Sequence, residues 1–201
     1  MTDRPILFSA PMVCALLAGR KTQTRRIASF IVPAGEQCHV RNAHGGWFGP
    51  ASRVPEVAPD YAPYAVGDRL WVKETWRSHK SWDGEKPSGI IPASRIWYEA
   101  DGRDNCDQHG KVRVSIFMPR WASRITLTVT DVRVEWLQDC SEADALAEGI
   151  DRIQFSDAGE WGWPQRKYAA LWDSINGAGA WEANPWVVAV SFDVRKGNID
   201  D

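Results

Sequence analysis

Two runs in the second half of the chain limit the fold more than anything else in the sequence. Ile125, Leu127 and Val129 alternate with Thr126, Thr128 and Thr130, and Trp186, Val188, Val190, Phe192 and Val194 recur at every second position. Successive side chains of a strand point to opposite faces, so a period of two marks strands with one buried face. Val132, Val134 and Trp136 continue the first run after a slip of phase at Asp131. Such a slip turns the apolar set over and predicts a bulge or sharp bend, as a curved sheet requires.

The other elements are short. Ile6-Leu7-Phe8 reads as a strand leading into a helix with Pro11 in its first turn, an apolar stripe of Met12, Ala15 and Leu16, and Gly19 as its stop. Gly67-Asp68 predicts a turn, Leu70 to Trp76 a strand and Trp97-Tyr98 a further short one. Ser141-Glu142-Ala143-Asp144 resembles a capping box, so a helix is expected from Glu142 to Glu148, stopped by Gly149. A second is expected from Pro164 to Ile175, with Tyr168, Leu171, Trp172 and Ile175 facing inward. Residues 33 to 63 are rich in Pro and Gly with little periodicity, which predicts a long ordered loop or insertion; 77 to 94 read as irregular and 101 to 110 as a polar stretch. The order of elements predicts an α+β fold, a small and mainly antiparallel β-barrel with flanking short helices. At 201 residues, against about 150 per domain, the expectation is a single domain over 1–201, with insertions or long loops at 29–63 and 77–117.

Composition narrows the function classes. With 44% hydrophobic and 25% charged residues the chain falls in the globular range. No run approaches the length of a membrane-spanning helix, and Met1-Thr-Asp-Arg-Pro lacks the order of a signal peptide, so a soluble cytoplasmic protein is expected. A net charge of −2 leaves room only for a local basic patch toward a polyanion. The four cysteines, Cys14, Cys38, Cys106 and Cys140, are widely spaced and form no C-x-x-C pair, which predicts reduced thiols. Cys38 with His39, and Cys106 with His109, meet no second pair at zinc spacing, so no metal site is expected. No cofactor is expected either: G-x-G-x-x-G and G-x-S-x-G are absent, and Gly19-Arg20-Lys21-Thr22 departs from a phosphate loop because Arg20 separates glycine from lysine and Cys14 stands where the first glycine belongs. Twelve tryptophans suit a bulky core or a stacking surface, and core packing is the first expectation.

The densest chemistry lies in Gly19-Arg20-Lys21-Thr22-Gln23-Thr24-Arg25-Arg26, with four cations and two hydroxyls in eight residues. Such a cluster can hold a phosphate or carboxylate, and a threonine beside a lysine can act as an activated nucleophile. It can equally be a solvated basic strand with cations at a helix end. Glu148 closes its predicted helix, where the dipole disfavours a carboxylate and favours a general acid; an ordinary exposed glutamate fits the same position. Glu74, between Trp71 and Trp76, is a second carboxylate expected to be partly buried or paired.

Ala18 to Arg26, the Gly67-Asp68 turn into a strand, and the strand-to-helix unit ending in Ala147-Glu148-Gly149 together resemble the ASCH domain, a relative of the PUA-like barrels. Gly67 to Trp76 and Met118 to Arg124 give the chain a tryptophan-rich form similar to proteins of bacteriophages and prophages. The resemblance implies a cleft at the first helix-strand junction and a nucleoside, nucleotide or RNA partner. Small bacterial members of the family remove the acetyl group from 4-acetylcytidine with a lysine and a threonine of the GRKTxT motif and a later glutamate. Those catalytic roles map onto Lys21, Thr24 and Glu148. Arg20, Arg25 and Arg26 would hold the substrate, with Trp71, Glu74, Trp76 and Trp121 as further binding candidates. Two other readings stay open: a non-catalytic module for RNA or a modified base, and a ribonuclease. In an ideal strand Lys21 and Thr24 point to opposite faces, so the catalytic reading requires the chain to be still turning near Lys21 or Thr22.

Overall fold

The computed structural model describes residues 2–42, 45–102, 106–151 and 164–201. Part of the expected polar stretch 101–110 lies outside them. The chain divides into two compact units, Met1–Gly19 with Gly67–Thr128 and Asp193–Asp201, and Arg20–Val66 with Val129–Phe192.

In the first unit, β1 (Asp3–Leu7) precedes α1 (Ala10–Leu17). Pro11 occupies the first helical turn, where its missing N–H costs nothing, and Gly19 ends the segment at φ +71°. Val13, Ala15 and Leu16 are the buried residues of α1, whereas Met12 is only half-buried. β1 pairs in parallel with β6 (Arg69–Lys73), whose other edge pairs antiparallel with the start of β9 (Ile125–Trp136). The expected strand from Leu70 to Trp76 is broken at Glu74-Thr75, and Trp76–Ser78 (β7) forms a separate ribbon with Ile96–Tyr98 (β8). Trp76, Ile90, Met118 and Ala122 make a buried cluster beneath it.

In the second unit, β2 (Gln23–Ile27) pairs antiparallel with β10 (Trp186–Lys196), and the later part of β9 lies on the other side of β10. Trp186 to Val190 are buried on both faces, as in a central strand. The slip at Asp131 is real: Ile125, Leu127 and Val129 are buried before it, and Val134 after it, within one continuous strand. Residues 33–63 are not a loop. Ile31–Ala34 (β3), Gln37–Asn42 (β4) and Gly45–Pro50 (β5) form a three-stranded antiparallel sheet, followed by a short helix α2 (Val54–Val57) between single 3-10 turns. Its glycines and prolines read as turn formers, and the buried positions are Ile31 in β3 with Cys38 and Val40 in β4, too short a run to show in the sequence. α3 (Glu142–Ala147) starts on a complete Ser141–Asp144 capping box and stops before Gly149, at φ +91°. α4 (Pro164–Asn176) buries Tyr168 and Trp172, with Leu137, Cys140, Ala145 and Val187 completing that core. Ile175, expected to face inward, is 64% exposed because the stripe leaves the core after Trp172.

The architecture is therefore α+β with mostly antiparallel sheets and few short helices. Among the described residues no closed barrel is found. No helix among them is long and apolar enough to cross a membrane. Leu127 is fully buried in β9, so Leu127→Ala should lower unfolding free energy by about 2–5 kcal/mol in urea denaturation. Thr130→Ala, at an exposed position of the same strand, should stay within about 0.5 kcal/mol of the parent.

Candidate active site

Lys21 and Glu148 are opposed across an isolated antiparallel bridge, and the Thr22 N–H donates to the Ala147 carbonyl at 2.8 Å. The end of α3 is thereby tied to the entry of β2. Both residues are buried, at 1% and 4% exposure. The Lys21 ammonium donates to Glu148 Oε2 at 2.6 Å, to the Glu148 carbonyl at 2.9 Å and to the Gln23 carbonyl at 2.8 Å. Three N–H bonds meet three acceptors, the arrangement a charged lysine requires away from water. Arg20 reinforces the same helix end by donating to the Gly149 carbonyl at 3.2 Å and to Asp151 at 2.6 Å. Carbonyls left without intrahelical partners at a helix C-terminus attract cations, so part of the basic cluster is spent on α3.

The second carboxylate oxygen of Glu148 accepts from the Tyr168 hydroxyl at 3.1 Å and lies 3.6 Å from Arg25 Nη1. Arg25 donates through Nε and Nη2 to Glu135 Oε1, at 3.1 and 2.7 Å, and through Nη1 to Gln23 Oε1 at 2.6 Å. Its Nη2 is also 3.4 Å from Asp144 Oδ1, which accepts from Arg133 at 2.9 Å. Strand periodicity puts Gln23 and Arg25 on one face of β2, opposite the buried and small Ala189 of β10. The result is three cations, Lys21, Arg25 and Arg133, interleaved with three carboxylates, Glu135, Asp144 and Glu148.

Burial pushes the Lys21 pKa down, and the Glu148 carboxylate only partly offsets it. Burial, helped by the charge of Glu148, raises Tyr168, so its hydroxyl stays a donor. Cys140, behind this network, is pushed up to about 12 by burial and is a neutral thiol at physiological pH. Burial works against the charged form of Asp144, but hydrogen bonds from Ser141 and Arg133, with the nearby charge of Arg25, outweigh it and hold the carboxyl well below its ordinary range.

Thr24 is buried in β2 in register with Val190, on the face opposite Gln23 and Arg25. Among the described residues no hydrogen bond joins its hydroxyl to Lys21 or Glu148. Arg26 is half-buried at the next but one position. The remaining candidates belong to the first unit. Glu74 is 1% exposed and receives a two-pronged grip from Arg124, Nε to Oε1 at 2.9 Å and Nη2 to Oε2 at 3.0 Å. Burial raises its pKa against the pull of that guanidinium, which also donates to Asp101 and stacks 3.8 Å from the Tyr98 ring centre. Trp76 is fully buried in the core, and Trp121 packs half-buried against it. Trp71 is half-buried, with the Lys73 ammonium 5.2 Å from its ring centre.

Sequence reasoning missed Glu135, Asp144 and Tyr168. Tyr168 sits at core spacing on α4, where only its hydroxyl distinguishes it from a packing residue. Asp144 is visible as a cap and Glu135 as a charge just beyond the slip, but neither position announces a partner on β2. Among the described residues no group of three or more His, Cys, Asp or Glu is placed to hold a metal ion. Comparison with known proteins finds no match: no family model, no curated protein and no solved structure is similar to this chain.

Two measurements test the network. Lys21→Met leaves Glu148 buried with only the longer Arg25 contact and should cost about 3–5 kcal/mol, while Lys21→Met with Glu148→Leu should recover most of that loss in the same denaturation series. The depressed folded-state pKa of Asp144 adds stability above its unfolded value, near 3.9, and that stability is lost as pH falls through the folded value. Asp144→Asn should therefore be less stable than the parent at pH 6, and the difference should shrink as the pH is taken below 4.

Proposed function

We propose that the chain is an ASCH-type nucleoside amidohydrolase that removes an acyl group from the exocyclic amine of a modified cytidine, 4-acetylcytidine being the first substrate to test. The observation that carries the proposal is the 2.6 Å contact between Lys21 Nζ and Glu148 Oε2, which joins two groups 127 residues apart in a buried site. These are the lysine and the glutamate that the motif resemblance selects. The α+β, mainly antiparallel architecture is compatible with the PUA-like barrel that the same resemblance implies.

Moving one proton along that short contact converts ammonium and carboxylate into amine and carboxylic acid. Burial pushes the Lys21 pKa down, which favours release of that proton. The amine then takes a proton from water as the hydroxide forms its bond to the acyl carbon, and the carboxylic acid protonates the departing cytosine nitrogen as the amide bond breaks. A carboxylic acid and a cytidine leave, and the pair ends as ammonium and carboxylate again. Tyr168 and Arg25, which both face Glu148 Oε1, orient the carboxyl so that Oε2 carries the proton. Since no hydrogen bond among the described residues joins the Thr24 hydroxyl to the pair, water is the nucleophile in this scheme.

One observation favours a different class: every N–H bond of Lys21 is occupied by a protein acceptor, which suits a non-catalytic module in which the pair only braces the fold. Product analysis after incubation with 4-acetylcytidine separates the two. The enzyme should release cytidine, and Glu148→Gln should lower the rate by about 100- to 10,000-fold while the folded protein persists. Thr24→Ala should change the rate far less. Binding of the nucleoside without product, in parent and variant alike, would establish the module instead. Cleavage of oligonucleotides that depends on Lys21 but not on Thr24 would establish a ribonuclease.

A further inference from the structure

The three-stranded sheet at 31–50 carries a surface unlike the rest of its unit. Its inner side is closed: Cys38 and Val40 are 1% and 0% exposed, as are Val54 and Ala58 at 0% in the turns that follow. The outer side is open and ordered by register. Val32, His39 and Phe48 form one cross-strand row, and Arg41 faces Gly46 in another. Phe48 is 54% exposed and Val32 38%, a costly arrangement for a phenylalanine that has an alternative inside a core. The Phe48 and His39 rings meet edge to face at 4.3 Å, which fixes the Phe48 plane without covering it. A recess of about 310 Å³ lies beside them, lined by His39, Arg41, Gly45, Gly46, Trp47 and Phe48.

Two features make the recess selective. Gly46 places no side chain across from Arg41, and among the described residues Arg41 forms no ion pair. Glu36 is the single carboxylate in residues 31–50, and it lies in the turn at the far end of β4, roughly 16 Å from Arg41 along the strand. A fixed exposed ring, an imidazole at its edge and an arginine with no facing carboxylate in its sheet complement a flat base joined to a phosphate.

We propose that the outer face of β3–β5 binds single-stranded nucleic acid, a base stacking on Phe48 and the adjoining phosphate meeting Arg41. This surface is argued from its own residues and stands whether or not Lys21 and Glu148 are catalytic. It gives the β3–β5 sheet a role that is separate from the Lys21–Glu148 site.

Fluorescence anisotropy of the full chain with labelled ten-nucleotide oligouridine and oligothymidine tests it. The parent should bind, and Phe48→Ser should weaken binding by about 5- to 150-fold, the range for one lost stacking contact. Arg41→Ala should weaken it too and lower the slope of log K against log salt by about 0.7, the value for one phosphate on a single strand. Both residues are exposed, so thermal unfolding should be unchanged. Comparing the two oligomers separates RNA from DNA. Absence of binding by the parent, binding unaffected by both substitutions, or concentration-dependent self-association through Phe48 would each overturn the proposal. Loss of oligomer binding with unaltered handling of 4-acetylcytidine would uphold it independently of the catalytic reading.

Discussion

The second unit is organised around a lysine that is only 1% exposed. An ammonium ion withdrawn from bulk solvent needs acceptors from the protein, and Lys21 finds them on two segments distant in sequence: its own strand entry at Gln23 and the end of α3 at Glu148. Much of the local geometry follows. α3 has to stop where its last carbonyls can accept, which the positive φ of Gly149 permits, and Tyr168 of α4 has to approach the carboxyl that Lys21 leaves half-occupied. Buried pairs of this kind add little net stability, because desolvation cancels most of their attraction. What they impose is location, since neither partner can be displaced without stranding the other.

The same residues explain why a basic run can be read in two ways. Of the four cations between Arg20 and Arg26, Arg20 and Lys21 bind the end of a helix and Arg25 a trio of carboxylates. A cluster that looks like an anion site in one dimension is largely committed to internal anions in three. What the run keeps apart from helix capping and the carboxylate trio is the short Lys21–Glu148 contact.

Local rules carried the parts of the fold they govern. Pro11 and Gly19 bracket α1, the Ser141–Asp144 box starts α3, and the phase slip at Asp131 survives as a shift of the buried face within β9. The failures are equally physical. Turn-forming residues hid the β3–β5 sheet because three short strands offer more turn than strand to read. Ile175 follows helical spacing but outlasts the core that its helix covers. At the site, the pairing of Lys21 with Glu148 was legible only through the motif, whereas Tyr168, Glu135 and Asp144 are partners chosen by tertiary packing. No spacing in the chain encodes that choice.

Three positive and three negative side chains cancel in the Lys21 network, with Arg25 wholly enclosed among them. Lys21, Arg25 and Glu148 are buried, whereas Arg133 reaches solvent. A neutral replacement at one of the buried positions creates an imbalance that a second replacement, of the opposite sign, removes. Divergence from a common ancestor should therefore proceed here by coupled exchanges, so that the buried positions drift as pairs while the solvent-facing residues around them drift singly.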